Sequence, residues 1–197
     1  MNSGGGTIPV PVKKADFRDH PIMHVMSRIF ELHNTNKFNI FIYSFGKEDK
    51  YTERLKQTNC CYRKIQDLND FEVVELARKD QLDIAIDLMA FTVNNRMPMF
   101  SYRMAPIQIQ HLGSTTGSKE IDYLIADKYL IPDNFSKYYT EKIIYMPHSF
   151  IGFDNTKEVE KHKFTRQDMA LPINSFVLAA FHSNYKITAK EINSWSR

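Results

Sequence analysis

Residues 38–45 read FNIFIYSF, a run of aromatic and β-branched residues that ends at Gly46. Such runs are typical of strands, and strands covered on both faces need apolar side chains on both alternating positions. Further runs of this kind predict strands, with helical segments between them, at Tyr62–Leu68, Asp83–Leu88, Ile107–Leu112, Tyr123–Ala126, Ile143–Met146 and Phe176–Phe181. This alternation predicts an α/β protein with a parallel sheet.

The helical segments have start signals of their own. From Ile22 to Leu32 apolar residues recur at helical spacing, and Asp19 and Pro21 are placed as a helix start. Capping-box pairs begin two other predicted helices, Asn69 with Glu72 and Thr188 with Glu191. Shorter helices are predicted around Glu53–Gln57 and Pro98–Arg103.

Composition limits the classes of function. Lys and Arg number 26 against 23 Asp and Glu in 197 residues, and they are spread along the chain, which does not favour nucleic-acid binding. Cys60 and Cys61 are adjacent, which disfavours a disulfide between them and favours a reducing cytoplasm. No run is long enough for a membrane helix, and Met1–Thr7 lacks the apolar core of a signal peptide. We expect a soluble, unexported protein with no membrane partner.

Four segments are predicted along the chain. Residues 1–14 are a flexible leader or a first strand broken by Pro9 and Pro11, and residues 15–150 form the main lobe. Residues 151–172 are a charge-rich linker. Residues 173–197 form a strand, a turn and a helix, which cannot bury both of their own faces. That unit either packs on the main lobe or begins a second lobe.

The densest group of chemically active side chains is DFRDHP, residues 16–21, followed by His24. His20 and His24 lie one helical turn apart and share a helix face, where they can hold a metal or position a general base. The alternative is an Asp N-cap with two surface histidines.

Two further segments suit a ligand. Tyr185 and Lys186 come just before a helix N-terminus, where backbone N–H groups and a cation suit a phosphate, although a solvated lysine also occurs there. The loop His111–Ser118 is rich in Gly and hydroxyl residues, so it can approach a ligand closely or form a plain turn. The sequence has no D-x-D pair, which disfavours a metal held against a diphosphate by two carboxylates.

Taken in order, these segments resemble the catalytic region of the O-GlcNAc transferase family, particularly its bacterial members. The matching stretches are Asp16–Pro21 with His24, Lys37–Phe41, Asp83–Leu88, Thr92 with Asn95 and Arg96, Ala105–Gln108, Leu112–Gly113, Ile121–Asp127, Tyr139–Lys142, Tyr145–Ser149 and Phe181–Lys186. The resemblance implies a GT-B glycosyltransferase, with a Rossmann-like lobe and the first strand and helix of the donor-binding lobe. It implies transfer of N-acetylglucosamine from UDP-GlcNAc to Ser or Thr of an acceptor protein, with no metal and no cofactor.

The resemblance also implies roles for particular residues. His20 is expected at the sugar and acceptor face of the cleft, and Lys186 matches the lysine that steadies the UDP phosphates. Tyr185 matches the tyrosine beside it. The positions expected to line the sugar pocket are Thr92, Leu112 and Gly113.

Departures from the family pattern fall at the sugar pocket. Ala90-Phe91-Thr92 stands where bacterial members commonly have Gly-His-Thr, and His111-Leu112-Gly113-Ser114 stands where the family has Trp-Leu-Gly-Tyr-Pro-Gly. They motivate two alternatives, a noncatalytic interaction module and a related hexosyltransferase with another donor sugar. Because a GT-B site lies between two lobes, we expect this chain to be inactive or nearly so by itself.

Overall fold

The computed structural model describes residues 7–11, 17–92, 95–112, 114–156, 158 and 161–196. The chain divides into two compact units, Met1–Thr156 and Lys157–Arg197. Every strand found in the described residues belongs to the first unit.

The described part of the first unit contains seven strands, and all of their pairings are parallel. They are β1 (Thr7–Pro11), β2 (Asn39–Ser44), β3 (Cys61–Lys64), β4 (Ile84–Asp87), β5 (Ile107–Gln110), β6 (Tyr123–Ala126) and β7 (Lys142–Tyr145). Hydrogen bonds join them in two sheets, β1-β2-β3 and β4-β5-β6-β7. Since β1 also lies beside β4, the spatial order is β3-β2-β1-β4-β5-β6-β7. The parallel α/β prediction is confirmed.

The prolines of β1 account for the break between the two sheets. β1 keeps its ladder with β2, from Thr7 opposite Asn39 to Pro11 opposite Tyr43. The N–H groups of a strand alternate between its two edges, so Pro9 and Pro11 remove donors from the same edge. Among the described residues no ladder joins β1 to β4, although their Cα atoms come within 8 Å.

Five α-helices occur in the described chain: α1 (Pro21–Leu32), α2 (Lys50–Lys56), α3 (Asp70–Lys79), α4 (Pro98–Ser101) and α5 (Ala189–Trp195). None of the described helices is long and apolar enough to cross a membrane. Both predicted capping boxes are formed, Asn69 with Glu72 and Thr188 with Glu191. The cap of α1, however, is His20, and the Asp19 carboxylate contacts His24 Nε2 at 3.1 Å.

Side chains of β2 show why the sheet is covered on both faces. Ile40 and Ile42 belong to a hydrophobic cluster with Met23 and Phe30 of α1. Tyr43, which alternates with them, belongs to a second cluster. That cluster also contains Phe45, Ile65, Val73, Val74, Ala77, Met99 and Phe100. This is the two-faced burial that the sequence of residues 38–45 predicts.

The predicted strand Phe176–Phe181 is not formed. A strand obtains its hydrogen bonds from a neighbour, and the described residues of the second unit contain no other strand to pair with it. Phe176 and Phe181 are 88% and 100% exposed, and α5 has no buried residue. The prediction was wrong here because a strand's apolar pattern does not by itself supply a partner.

The end of α3 yields a first testable prediction. Gln81 follows the cap residue Asp80 with φ of 51°, and Leu82 N–H donates to Ala77 O at 3.4 Å. This left-handed position favours glycine. Because the Gln81 side chain is exposed, we expect Gln81→Gly to raise the free energy of unfolding by about 1 kcal/mol, measured by urea denaturation.

The matched control is Gln57→Gly at the cap of α2. Gln57 has φ of −83°, so glycine relieves no strain there and lowers stability by up to about 1 kcal/mol. Equal effects at the two positions would contradict the explanation.

Candidate functional site

Three of the predicted site residues follow neighbouring strands at one edge of the sheet. His20 comes after β1, Thr92 after β4 and Leu112 after β5. The strand order reverses between β1 and β4. Open α/β sheets bind ligands in the crevice outside the carboxyl ends of their strands at such a reversal. The topology therefore brings these three loops to the place where a ligand is expected.

One hydrophobic cluster holds the bases of these loops together. Phe17, before His20, and Leu88, at the end of β4, are buried members of this cluster, and Leu112 packs against it. The loops are therefore fixed to a common core, which keeps them close at the carboxyl edge.

The loop before α1 is attached to the start of α2. Asp19 N–H donates to Asp49 Oδ2 at 2.6 Å, and the Thr52 hydroxyl donates to Phe17 O at 2.7 Å. His20 is partly exposed, and its Nδ1 accepts a hydrogen bond from Ile22 N–H at 3.3 Å. As for a metal at His20 and His24, no cluster of three or more His, Cys, Asp or Glu suited to an ion occurs among the described residues, and Asp16 lies outside them.

A tight turn after β4 presents Phe91 and Thr92. Ala90 has φ of 51°, and its N–H donates to the buried carboxylate of Asp87 at 2.5 Å. A left-handed residue with a Cβ costs about 1 kcal/mol, so Ala is the mildest replacement for the glycine of the family pattern. Beyond Ala90 the Phe91 ring is 58% exposed and Thr92 is also exposed.

The turn after β5 also contains a left-handed residue, Leu112, with φ of 62°. Just before it, His111 Nε2 contacts Phe150 O at 2.8 Å. Asp127 Oδ2 accepts from Phe150 N–H at 2.9 Å, so both polar groups of Phe150 are held. Non-glycine residues in this region cluster at functional sites, and Ala90 and Leu112 lie at the ends of adjacent strands. Gly113 lies outside the described residues.

Glu141 is a polar residue for which the sequence suggested no role. It is 3% exposed, and its carboxylate accepts hydrogen bonds from the hydroxyls of Thr115, Thr116 and Thr140 and from Thr116 N–H. Burial by itself raises the pKa of Glu141, but these hydrogen bonds outweigh it and lower the pKa overall. Glu141 therefore anchors the far side of the hydroxyl-rich loop, a contact 25 residues long that spacing does not reveal.

The remaining predicted residues, Tyr185 and Lys186, belong to the second unit. They lie in a short 3₁₀ turn, Asn184–Lys186, just before the Thr188 cap of α5. Tyr185 is 78% exposed, and Lys186 Nζ lies 5.8 Å from its ring centroid. The two residues are thus in contact with each other, as their adjacency suggests. Their meeting with His20 at a common cleft stays a prediction.

Two buried imidazoles give the first unit a pH dependence. Burial lowers the pKa of His111, against a smaller opposing effect of its hydrogen bond to Phe150 O, and burial also lowers the pKa of His33. Unfolded histidines take up protons near pH 6.5, so the unfolded state binds more protons just below that pH. We therefore expect the free energy of unfolding to fall as the pH drops from about 7 to about 5, measured by urea denaturation. His111→Gln should flatten this dependence, and an unchanged slope in that variant would contradict the assignment.

Parallel strands, and loops gathered at the reversal of strand order, define a nucleotide-binding type of α/β lobe, and comparison with known proteins specifies it. The structure resembles a mutant O-GlcNAc transferase of Thermobaculum terrenum with a TM-score of 0.70 and 27% identity, over 77% of this chain and 30% of that one. This likeness defines the class as a GT-B glycosyltransferase. Residues 2–164 match the sequence model of glycosyl transferase family 41, and the chain belongs to this family.

Curated relatives agree with this family. A probable UDP-N-acetylglucosamine–peptide N-acetylglucosaminyltransferase SEC of Arabidopsis thaliana is 27% identical over 92% of this chain and 19% of its own length. A Caenorhabditis elegans UDP-N-acetylglucosamine–peptide N-acetylglucosaminyltransferase is 30% identical over 78% of this chain and 14% of its own length. The chain therefore spans about a fifth or less of these two relatives.

Proposed function

We propose that this chain forms the acceptor-facing lobe of a protein O-GlcNAc transferase, which moves N-acetylglucosamine from UDP-GlcNAc to Ser or Thr hydroxyls. The observation that carries the proposal is the convergence of the loops of His20, Thr92 and Leu112 on the reversal of strand order. The names of the relatives supply the donor and the peptide acceptor.

In this scheme each part of the site has a task. His20 faces the sugar and the acceptor hydroxyl, while Thr92, Leu112 and Gly113 line the sugar pocket. Tyr185 and Lys186 bind the donor diphosphate. Negative charge grows on the departing diphosphate in the transition state, where the Lys186 cation supplies electrostatic stabilisation without a metal or other cofactor.

We further propose that the chain by itself turns over little or no substrate. A GT-B site needs two lobes, and the described part of the second unit has no buried residue with which to form a core of its own. A nucleotide pocket requires that core, since ligand sites depend on side chains held by packing. Free thiols at Cys60 and Cys61 support a reducing compartment, the cytoplasm.

The test incubates the purified chain with labelled UDP-GlcNAc and an acceptor peptide, and measures donor binding by calorimetry. We expect no turnover but measurable binding that weakens in Lys186→Ala and persists in the control Lys190→Ala. Clear turnover by the chain would contradict its inactivity, and equal affinities in the two variants would contradict the role of Lys186.

The two alternatives have their own measurements. The departures at Ala90, Phe91 and His111 favour a noncatalytic interaction module, and an ordinary affinity for UDP-GlcNAc would count against it. The exposed Phe91 ring favours a different donor sugar. Competition between UDP-GlcNAc and other UDP-hexoses would separate that hexosyltransferase from the main proposal.

A further inference from the structure

Asp49 connects two elements of the fold through its two carboxylate oxygens. Oδ1 accepts from Tyr51 N–H at 2.8 Å and from Thr52 N–H at 3.4 Å, which caps α2. Oδ2 accepts from Asp19 N–H at 2.6 Å, one residue before His20. An ionised carboxylate can accept on both oxygens, whereas an asparagine has a single acceptor oxygen.

Thr52 makes a second attachment to the same loop. Its hydroxyl donates to Phe17 O at 2.7 Å and accepts from Asp49 N–H at 3.1 Å, and the residue is 1% exposed. The loop is therefore held at two main-chain atoms, Phe17 O and Asp19 N, on either side of Arg18. Such paired contacts leave it little freedom to move along α2.

This attachment bears directly on the state of the His20 ring. His20 has an extended main chain, with φ of −151° and ψ of 149°, and its Nδ1 accepts from Ile22 N–H. Because a neutral imidazole has one N–H and one acceptor nitrogen, an accepting Nδ1 leaves the proton on Nε2. The cap of α1 thus selects one of the two tautomers.

We propose that Asp49 and Thr52 are positioning residues for His20. By holding the main chain of residues 17–19 on α2, they keep the ring in the Nε2–H tautomer at the carboxyl edge of β1. The value of this for catalysis rests on the proposed function, which places His20 at the sugar and acceptor face. The attachment itself can be measured without any donor.

The experiment records long-range ¹H–¹⁵N spectra of the histidine side chains in the full chain, at mildly alkaline pH where imidazole is neutral. A His20→Gln variant assigns the His20 signals. We expect the wild type to show the Nε2–H pattern. In Asp49→Asn and Thr52→Val the two ring nitrogen signals should shift towards the averaged values of an exposed imidazole.

Two controls separate positioning from a general loss of structure. Thr52→Ser retains the hydroxyl and should keep the wild-type pattern, and Asp168→Asn removes the same charge in the second unit and should do so too. Asn is as good an N-cap as Asp, so α2 should persist in Asp49→Asn, as checked by backbone spectra. Should Asp49→Asn fail to fold, the comparison of Thr52→Val with Thr52→Ser decides.

An unchanged His20 tautomer in both Asp49→Asn and Thr52→Val would overturn the proposal. Titration with UDP-GlcNAc distinguishes this failure from that of the proposed function. Absence of any His20 response to the donor in the wild type would count against the proposed function, while the tautomer comparison still tests the attachment. A donor response that is identical in wild type and Asp49→Asn would overturn the positioning role.

Discussion

Glu141→Ala is expected to lower the free energy of unfolding by about 3 kcal/mol, since it leaves several buried donors without their acceptor. The carboxylate accepts from Thr115 Oγ1 at 2.8 Å, from Thr116 N and Oγ1 at 2.7 Å each, and from Thr140 Oγ1 at 2.9 Å. Urea denaturation measures the loss. We also expect faster amide exchange in the loop at residues 115–118, because Glu141 is its anchor.

Two variants calibrate this prediction. Glu141→Gln keeps the shape and one acceptor oxygen, so its loss should be smaller than that of Glu141→Ala. Glu75→Ala removes an exposed carboxylate that pairs with Arg78, and such surface pairs contribute at most about 1 kcal/mol. If Glu141→Ala costs no more than Glu75→Ala, the carboxylate does not anchor the loop.

Arg96→Ala should have a comparable effect, also about 3 kcal/mol. The guanidinium donates to Asp70 Oδ1 at 2.7 Å, Ile65 O at 3.1 Å and Leu68 O at 2.8 Å, and lies 5.4 Å from the Phe45 ring centroid. It therefore fastens the loop between β3 and α3 to the segment that follows the β4 turn. A lysine cannot reproduce this fork of donors, so Arg96→Lys should restore little of the loss.

Arg78→Ala is the matched control for this second prediction. Arg78 is an exposed guanidinium whose main contacts are Glu75 at 2.5 Å and Tyr102 O at 3.2 Å. We expect a loss below about 1 kcal/mol. Full recovery of stability in Arg96→Lys would show that charge alone, and not the geometry of the guanidinium, holds the loop.

Both residues lie in stretches that carry the family resemblance, yet their physical role was not predictable. Arg96 and Glu141 are recognisable as members of a pattern in sequence, but their partners are far along the chain. Asp49 and Thr52 have a local signal, an Asp placed three residues before Thr at a helix start. That signal predicts the cap of α2, and says nothing of the contacts with Phe17 and Asp19.

The sequence by itself determined the features that depend on near neighbours in the chain. The strand at residues 38–45, the helix starting at Pro21 and the capping boxes of α3 and α5 follow from side-chain periodicity and local hydrogen bonds, and the family resemblance identified His20, Thr92 and Leu112 as site residues. A parallel sheet followed from strands that are apolar on both faces.

Only the tertiary structure decided the strand order, with its reversal between β1 and β4, and the left-handed turns at Ala90 and Leu112. It also decided that Phe176–Phe181 forms no strand, despite a suitable pattern. The physical reason is the same in each case. Pairing of strands, burial of carboxylates and strain in turns depend on which distant segments meet, whereas periodicity reports only which residues share a face.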